Sequence, residues 1–341
     1  MWIVDSGAIF AGMIEKTIRL LLRAQDALVG NRRYRLLYKE MLAGFAVHRM
    51  LFDSHGNPTD YIFLDVNPAF ERLTGLSRKK VIGRRVRGVL PETEDIWIER
   101  YGAVVRTGVS DSFEAYSAAV GHHYMVVAFS LGGDDFAVTF YETSTIHHLQ
   151  SELMRAYEQT LDGWARALDL RDHETEGHSQ RVSRRVVWLA KKWGVADAGE
   201  IVNIARGGLL HDIGKIGVPD AILLKSGPLT PGERTVMEQH PVIAKKFLDP
   251  ISYLQPCVAI PYSHHERWDG NGYPQRLRGA AIPVSARLFS VVDVWDALTS
   301  DRPYRARMSD TEAALVVAGY SGTYFQPEIV DLFLGDLGNM P

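Results

Sequence analysis

Sulfur ligands are nearly absent from this 341-residue chain, which carries one cysteine, Cys257. A single thiol can neither close an intramolecular disulfide nor build a thiolate metal cluster. A disulfide scaffold and a zinc finger are therefore excluded, and a reducing compartment fits. A charge excess of either sign is also missing. Lys and Arg total 38 against 41 Asp and Glu, a net −3. No global field draws the chain to nucleic acid or an anionic membrane, so an anionic ligand must be held by local charge. No basic leader and no apolar run of ~18 residues precedes Glu15, and Asp5 comes early. Neither secretion nor membrane spanning is expected; the chain reads as soluble and cytoplasmic. Its length suits two domains, each with a core of its own.

What is present divides in two. From Ala8 to Leu28, the residues Phe10, Ile14, Leu21, Ala24 and Leu28 fall at helical spacing, and the narrow stripe suits either a helix packed on its own domain or one pairing two subunits. From about Arg35 to Ser144 the pattern is β-rich. Strands are expected at 44–53, 61–67, 112–120, 123–131 and 136–141, with a turn at 54–58 and short helices at 68–75 and 77–83. The segment Tyr61-Ile62-Phe63-Leu64-Asp65-Val66-Asn67-Pro68-Ala69-Phe70-Glu71-Arg72-Leu73-Thr74-Gly75, followed by Val81-Ile82-Gly83-Arg84, resembles a PAS sensor domain. The resemblance implies an α+β fold with a five-stranded antiparallel sheet and helices, but names no ligand. This half has no cysteine, so a cysteinyl-flavin photosensor is impossible. Haem is disfavoured because no histidine lies between Leu73 and Asp111, although His48, His55, His122 and His123 remain as ligands. His122 and His123 read most simply as an exposed pair, and the PAS ligand is unknown.

Leu149, Leu153, Tyr157, Leu161, Trp164 and Leu168 draw one stripe along a connecting helix from about Ile146 to Leu170. The stripe reads either as the first core helix of the second domain or as a helix that also pairs across a dimer. His147 and His148 on it read as solvent-exposed.

Six of the twelve histidines follow residue 172. Five of them, His178, His211, His240, His264 and His265, are in step with the carboxylates Glu174, Asp212 and Asp293. Glu174 and His178 are four apart and would share a helix face. His211 and Asp212, at the end of an apolar helix, would project about 100° apart around it. Asp293 sits inside an apolar helix, where a carboxylate is costly unless paired or metal-bound. All eight donors are nitrogen or oxygen, which favours iron or manganese over structural zinc. Two neighbouring ions suit phosphodiester hydrolysis with no covalent nucleophile. Lys215, four residues after His211, could meet a phosphate oxygen if the helical turn survives Gly214.

The set His178, His211-Asp212-Ile213-Gly214-Lys215, His240, His264-His265-Glu266-Arg267-Trp268-Asp269-Gly270-Asn271-Gly272-Tyr273-Pro274 and Asp293 resembles the HD-GYP domain of cyclic-di-GMP phosphodiesterases. The likeness runs from about Arg155 to Leu334 and implies an all-α effector hydrolysing cyclic di-GMP to pGpG, and on to GMP. It also implies metal ligands at Glu174, His178, His211, Asp212, His240, His264, His265 and Asp293, with Asp212 bridging. Asp212 and Lys215 would be catalytic. Lys215, Arg302, Arg305, Gly272, Tyr273 and Pro274 would meet substrate, Glu174 would allow a third ion beside two, and the Gly-Tyr-Pro loop would face substrate or partner.

The expected architecture is thus an N-terminal helix (1–33), a PAS domain (34–145), a connecting helix (146–170) and an HD-GYP phosphohydrolase domain (155–335). A homodimer is expected, with a GGDEF-type protein as a further partner. The alternatives are a weakly active module that binds cyclic di-GMP or a GGDEF protein, and a hydrolase of another cyclic dinucleotide or a nucleotide.

Overall fold

The computed structural model describes residues 31–172, 177–301 and 306–341. The helix expected over Ala8–Leu28 lies outside them, as do Glu174, Arg302 and Arg305. The chain divides into two compact units, Met1–Leu153 and Met154–Pro341. No described helix is long and apolar enough to cross a membrane.

The described part of the first unit begins with helix α1 (Asn31–Glu40), which runs into the stretch where β-rich structure was expected, and then forms strands β1 (Gly44–Phe52) and β2 (Pro58–Val66). Helices α2 (Pro68–Thr74) and α3 (Asp95–Thr107) follow, then β3 (Asp111–Ser117), β4 (His122–Gly132) and β5 (Asp135–Glu142). The five strands make one antiparallel sheet in the order β2-β1-β5-β4-β3. Period-2 alternation aims Ala46, His48 and Met50 at one face, opposite Val138, Phe136 and the chain beyond in the β5 register. That face packs on Trp97, Ile98, Tyr101 and Val104 of α3 in a core rich in aromatic rings. Sequence reading did not draw α3, although its buried residues recur at helical spacing. Asn67, fully buried, ties the sheet to α2: its Oδ1 accepts from Phe45 N (2.9 Å) and Phe70 N (2.8 Å), and its Nδ2 donates to Ala43 O (2.9 Å).

His122 and His123 are half-buried rather than exposed. His147 is half-buried too, its ring 4.4 Å from that of His123 and its Nε2 2.7 Å from Glu114 Oε1. An imidazole is flat enough to cover its neighbour while keeping one nitrogen on a carboxylate, which exposure arguments from sequence cannot foresee.

Helix α4 (Ser144–Asp172) is longer at both ends than the expected connector. Its later turns bury Leu161, Ala165, Leu168 and Asp169 in the second unit. There Glu158 Oε1 accepts from Arg206 Nη2 (2.7 Å) and Tyr253 OH (2.8 Å). Its earlier turns leave the same stripe exposed: Leu149 is 58% and Leu153 52% accessible.

The described remainder of the second unit is built of helices and loops. The main helices are α5 (His178–Trp193), α6 (Ala198–Leu209), α7 (Pro231–Met237), α8 (His240–Leu248), α9 (Ala259–Ser263), α10 (Val284–Thr299), α11 (Asp310–Gly319) and α12 (Pro327–Gly335). Phe289, Val291, Val292 and Trp295 of α10 are buried against Val182, Val186 and Leu189 of α5 and Phe333 of α12. This packing holds in place the polar residues that α5 and α10 carry at one end.

Candidate metal centre

Most of the described candidate ligands sit at or next to an element end, where the backbone can turn a side chain inward, whereas Asp293 projects from within α10. Helix α6 is capped by Asp197, whose Oδ1 accepts from Glu200 N at 2.7 Å. Its last turn carries Gly207 and Gly208, where side chains would intrude: a Cβ on Gly207 would lie 2.8 Å from Cys257 O, and one on Gly208 3.1 Å from Ser183 Cα. The chain then leaves the α-helix. His211 and Asp212 occupy the following turn, and Ile213–Gly217 is a 3-10 helix. The expected disposition around an α-helix is therefore corrected, and Lys215 reaches the site from three residues beyond Asp212 instead of from an α-helical face shared with His211. The reason is Gly214, where a Cβ would fall 1.8 Å from His240 O and 2.6 Å from Ala244 N. Without a side chain there, the start of α8 presses onto the turn and brings His240 beside Asp212.

Two groups of donors result. Asp212, His240, His264 and His265 present ligand atoms within 4.8 Å of one another, and so do His178, His211 and Asp293. They meet at adjacent residues: His211 Nε2 lies 3.2 Å from Asp212 Oδ2. The other oxygen, Oδ1, lies 3.3 Å from His240 Nε2 and 3.7 Å from His264 Nε2. Oδ1 is buried and accepts no hydrogen bond.

The backbone dictates which ring nitrogen faces inward. His211 Nδ1 donates to Gly208 O (2.9 Å), His240 Nδ1 to Met237 O (2.9 Å) and His264 Nδ1 to Ile260 O (3.2 Å). A carbonyl only accepts, so the proton sits on Nδ1 and each Nε2 lone pair points into the cluster. His178 is held likewise by a carboxylate, its Nδ1 2.8 Å from Asp296 Oδ2 and its Nε2 3.4 Å from Asp293 Oδ1. Outer partners of this kind fix the tautomer and aim of a metal-binding histidine.

Charges follow the same arrangement. Burial would raise the Asp212 carboxyl, but Lys215, His211 and His240 hold it well below its usual range. Burial would lower His211, but Asp212 and Asp293 outweigh it and raise this ring. Burial pushes His240 down, pushes His264 far down with help from His265, and takes His265 to about 3 with help from His240. A site that keeps carboxylates ionised and most imidazoles neutral offers the protonation states a metal ion requires. The orphaned Oδ1 of Asp212, facing two Nε2 lone pairs, fits a cation between them.

Lys215 Nζ lies 2.6 Å from Asp212 Oδ2 and 3.0 Å from Asp172 Oδ2. Asp172 and Asp296 were not singled out from sequence as site residues. Asp296, almost fully buried, also accepts from Arg181 Nη2 (3.0 Å) and Arg185 Nη1 (2.5 Å). Its spacing of three from Asp293 on an otherwise apolar helix was the available signal.

The Gly-Tyr-Pro loop closes one side. A Cβ on Gly272 would lie 2.4 Å from Arg267 N and 2.5 Å from His265 O, so only glycine lets the loop lie against that backbone. Tyr273 stacks on His265 with centroids 4.6 Å apart, and buried Glu266 accepts from Gln275 N (2.7 Å) and Leu277 N (2.9 Å). A cavity of about 510 Å³ opens on the cluster, lined by Asp212, Lys215, His240, His265, Tyr273 and Asp293 among others. A second cavity, of about 240 Å³, lies beside it and shares His265, Tyr273 and Asp293 with it. Gly272 lines the second, whereas Pro274 lines neither.

Residues 164–329 match the family described as HD domain. Among curated relatives, a "Cyclic di-GMP phosphodiesterase" of Vibrio cholerae serotype O1 is 36% identical over 199 residues, 54% of this chain and 40% of the relative. A protein of that name from Thermotoga maritima is 41% identical over 170 residues, 49% of this chain and 45% of the relative. A "3'3'-cGAMP-specific phosphodiesterase 2" of V. cholerae is 34% identical over 189 residues, 55% of this chain and 36% of the relative. The chain spans less than half the length of each of these three relatives.

Proposed function

We propose that the second unit is an HD-GYP phosphodiesterase that hydrolyses cyclic di-GMP to pGpG, and on to GMP, in a metal-dependent reaction. The carrying observation is the meeting of two all-N/O donor groups at His211 and Asp212, with Asp212 lining a cavity that also presents the ammonium group of Lys215. Bound there, iron or manganese would polarise a phosphate and acidify water. His178, His211, Asp293 and Asp212 would hold one ion and His240, His264, His265 and Asp212 the other, with Glu174 the candidate for a third.

The chain's own part is binding and orientation. Lys215, steadied by Asp172 and Asp212, supplies a fixed positive charge for a non-bridging phosphate oxygen. Tyr273 walls the site and offers a ring face to a base, with Gly272 and Pro274 setting its position. Arg302 and Arg305 are assigned to the second phosphate or a guanine edge. The first unit is assigned as the PAS sensor, and the exposed apolar stripe of α4 supports a homodimer. The Gly-Tyr-Pro loop is assigned to face substrate or a GGDEF-type partner.

A second reading, hydrolysis of 3'3'-cGAMP, is favoured by the relatives named for that substrate, and both substrates belong in one test. The full chain is purified without oxygen, its metals are counted, and the Fe(II)- and Mn(II)-loaded forms are incubated with each cyclic dinucleotide and followed by chromatography. Release of pGpG or GMP at a higher kcat/KM than for 3'3'-cGAMP is expected. The reverse preference moves the assignment to the second substrate, and binding of cyclic di-GMP without product leaves a binding module.

A further inference from the structure

His48 lies inside the first unit, on β1, far in sequence from every residue of the metal centre. It is 2% exposed, and its Nδ1 is buried with no hydrogen-bond partner. The ring stacks on Phe136 (centroids 5.0 Å, interplanar angle 25°) and meets Tyr61 and Phe63 edge-on at 4.8 and 5.0 Å. A position enclosed by aromatic carbon would take a phenylalanine without leaving any polar atom unpaired. The polar atom that the imidazole brings therefore calls for an explanation.

The ring borders a cavity of about 80 Å³. The lining includes Phe70, Trp97, Tyr101 and Tyr124, with Thr93 and Ser117 adding hydroxyls, and it contains no Asp, Glu, Lys or Arg. Burial pushes the imidazole down to about 3, so it is neutral at physiological pH, with one nitrogen to accept and one to donate. A charged ligand would lose its hydration with no counter-charge in return, so the lining selects a neutral one. The space is about half the roughly 150 Å³ of an apolar cavity that admits benzene. It is far below what a haem needs.

We propose that this cavity is a binding site for a neutral molecule smaller than benzene that carries a hydrogen-bonding head, held by the His48 imidazole and by contact with the surrounding aromatic rings. The site belongs to the first unit, and the proposal does not rest on the reading of the second unit.

Pyrazole, a neutral five-membered ring with one N–H and one acceptor nitrogen, is the probe; furan, of similar size but lacking an N–H, is the control. The full chain is titrated with each while the ring nitrogens of His48 are followed by ¹⁵N NMR. Pyrazole is expected to move the His48 signals saturably and to bind at least tenfold more tightly than furan. His48→Phe should abolish that preference. Signals that stay put at saturating probe, equal affinity for pyrazole and furan, or a preference that survives in His48→Phe each overturn the proposal. The titration of the unaltered chain decides the matter should the variant fail to fold.

Discussion

Nδ1 of His178 lies 2.8 Å from Oδ2 of Asp296, and both side chains are buried. The carboxylate thereby turns Nε2 of His178 toward Asp293 and His211. Asp296→Asn keeps the shape and removes the charge, and the expected result is a 10–100-fold loss of metal affinity and of kcat. Metal titration of the variant checks this; an unaltered metal affinity would show that Asp296 serves only Arg181 and Arg185.

Asp212 links the two donor groups, its Oδ2 3.2 Å from His211 Nε2 and its Oδ1 3.3 Å from His240 Nε2. In Asp212→Ala the metal count should fall and cyclic-dinucleotide hydrolysis should vanish while cyclic di-GMP still binds. Lys215→Gln should retain its metals and lose kcat by about 10²-fold or more. Elemental analysis run beside the assay separates the two variants, and a near-normal rate in Asp212→Ala would end the assignment.

Gly214→Ala tests the backbone approach that brings His240 to Asp212. A Cβ 1.8 Å from His240 O cannot be accommodated without moving α8. The expected cost is about 3 kcal/mol, with loss of the Asp212–His240 donor group. Urea unfolding monitored by circular dichroism gives the first quantity and metal analysis the second. A variant of parental stability would mean that the turn yields easily.

Acidification should weaken the first unit through His48. Between the unfolded value of ~6.5 and the folded value of about 3, the unfolded imidazole binds a proton that the folded one refuses, so the unfolding free energy falls as pH drops through that window and is flat above it. Tyr61, the titratable ring touching it, is pushed up by burial and stays neutral throughout. From pH 7 to pH 5 the contribution is about 2 kcal/mol. His48→Phe should lose that part of the slope, as read from denaturation curves at the two pH values; parallel slopes would contradict the burial argument.

The exposed stripe at Leu149 and Leu153 is expected to pair in a dimer, so replacing both by Lys should give a monomer in light scattering. A monomeric parent chain would remove the dimer from the proposal.

The donors of the second unit were legible because a cluster of this kind uses residue types that are costly to bury, and Asp293 in an apolar helix or His264-His265 at a helix end advertises that cost. Strand periodicity likewise made β1 to β5 readable. Three things were not. The tight turn after Leu209 depends on an approach between Gly214 and α8 that only tertiary packing creates. Asp172 resembles an ordinary surface acid until Lys215 is seen beside it, and Asp296, though it shares an apolar helix with Asp293, shows its role only once His178 is seen against it. Helix α3 keeps a helical period but lacks a side-chain cap, so nothing in the sequence marks where it starts.

Cys257 is buried, and burial pushes its thiol up to about 11. A protonated, enclosed sulfur reacts slowly with maleimides and mild oxidants. The natural chain is therefore already a nearly silent background for thiol chemistry. Cysteines introduced at exposed positions such as Val109 and Leu315 could take a donor and an acceptor dye without removal of the native one, so that the distance between the two units can be followed in solution as metal, nucleotide or a sensor ligand is added.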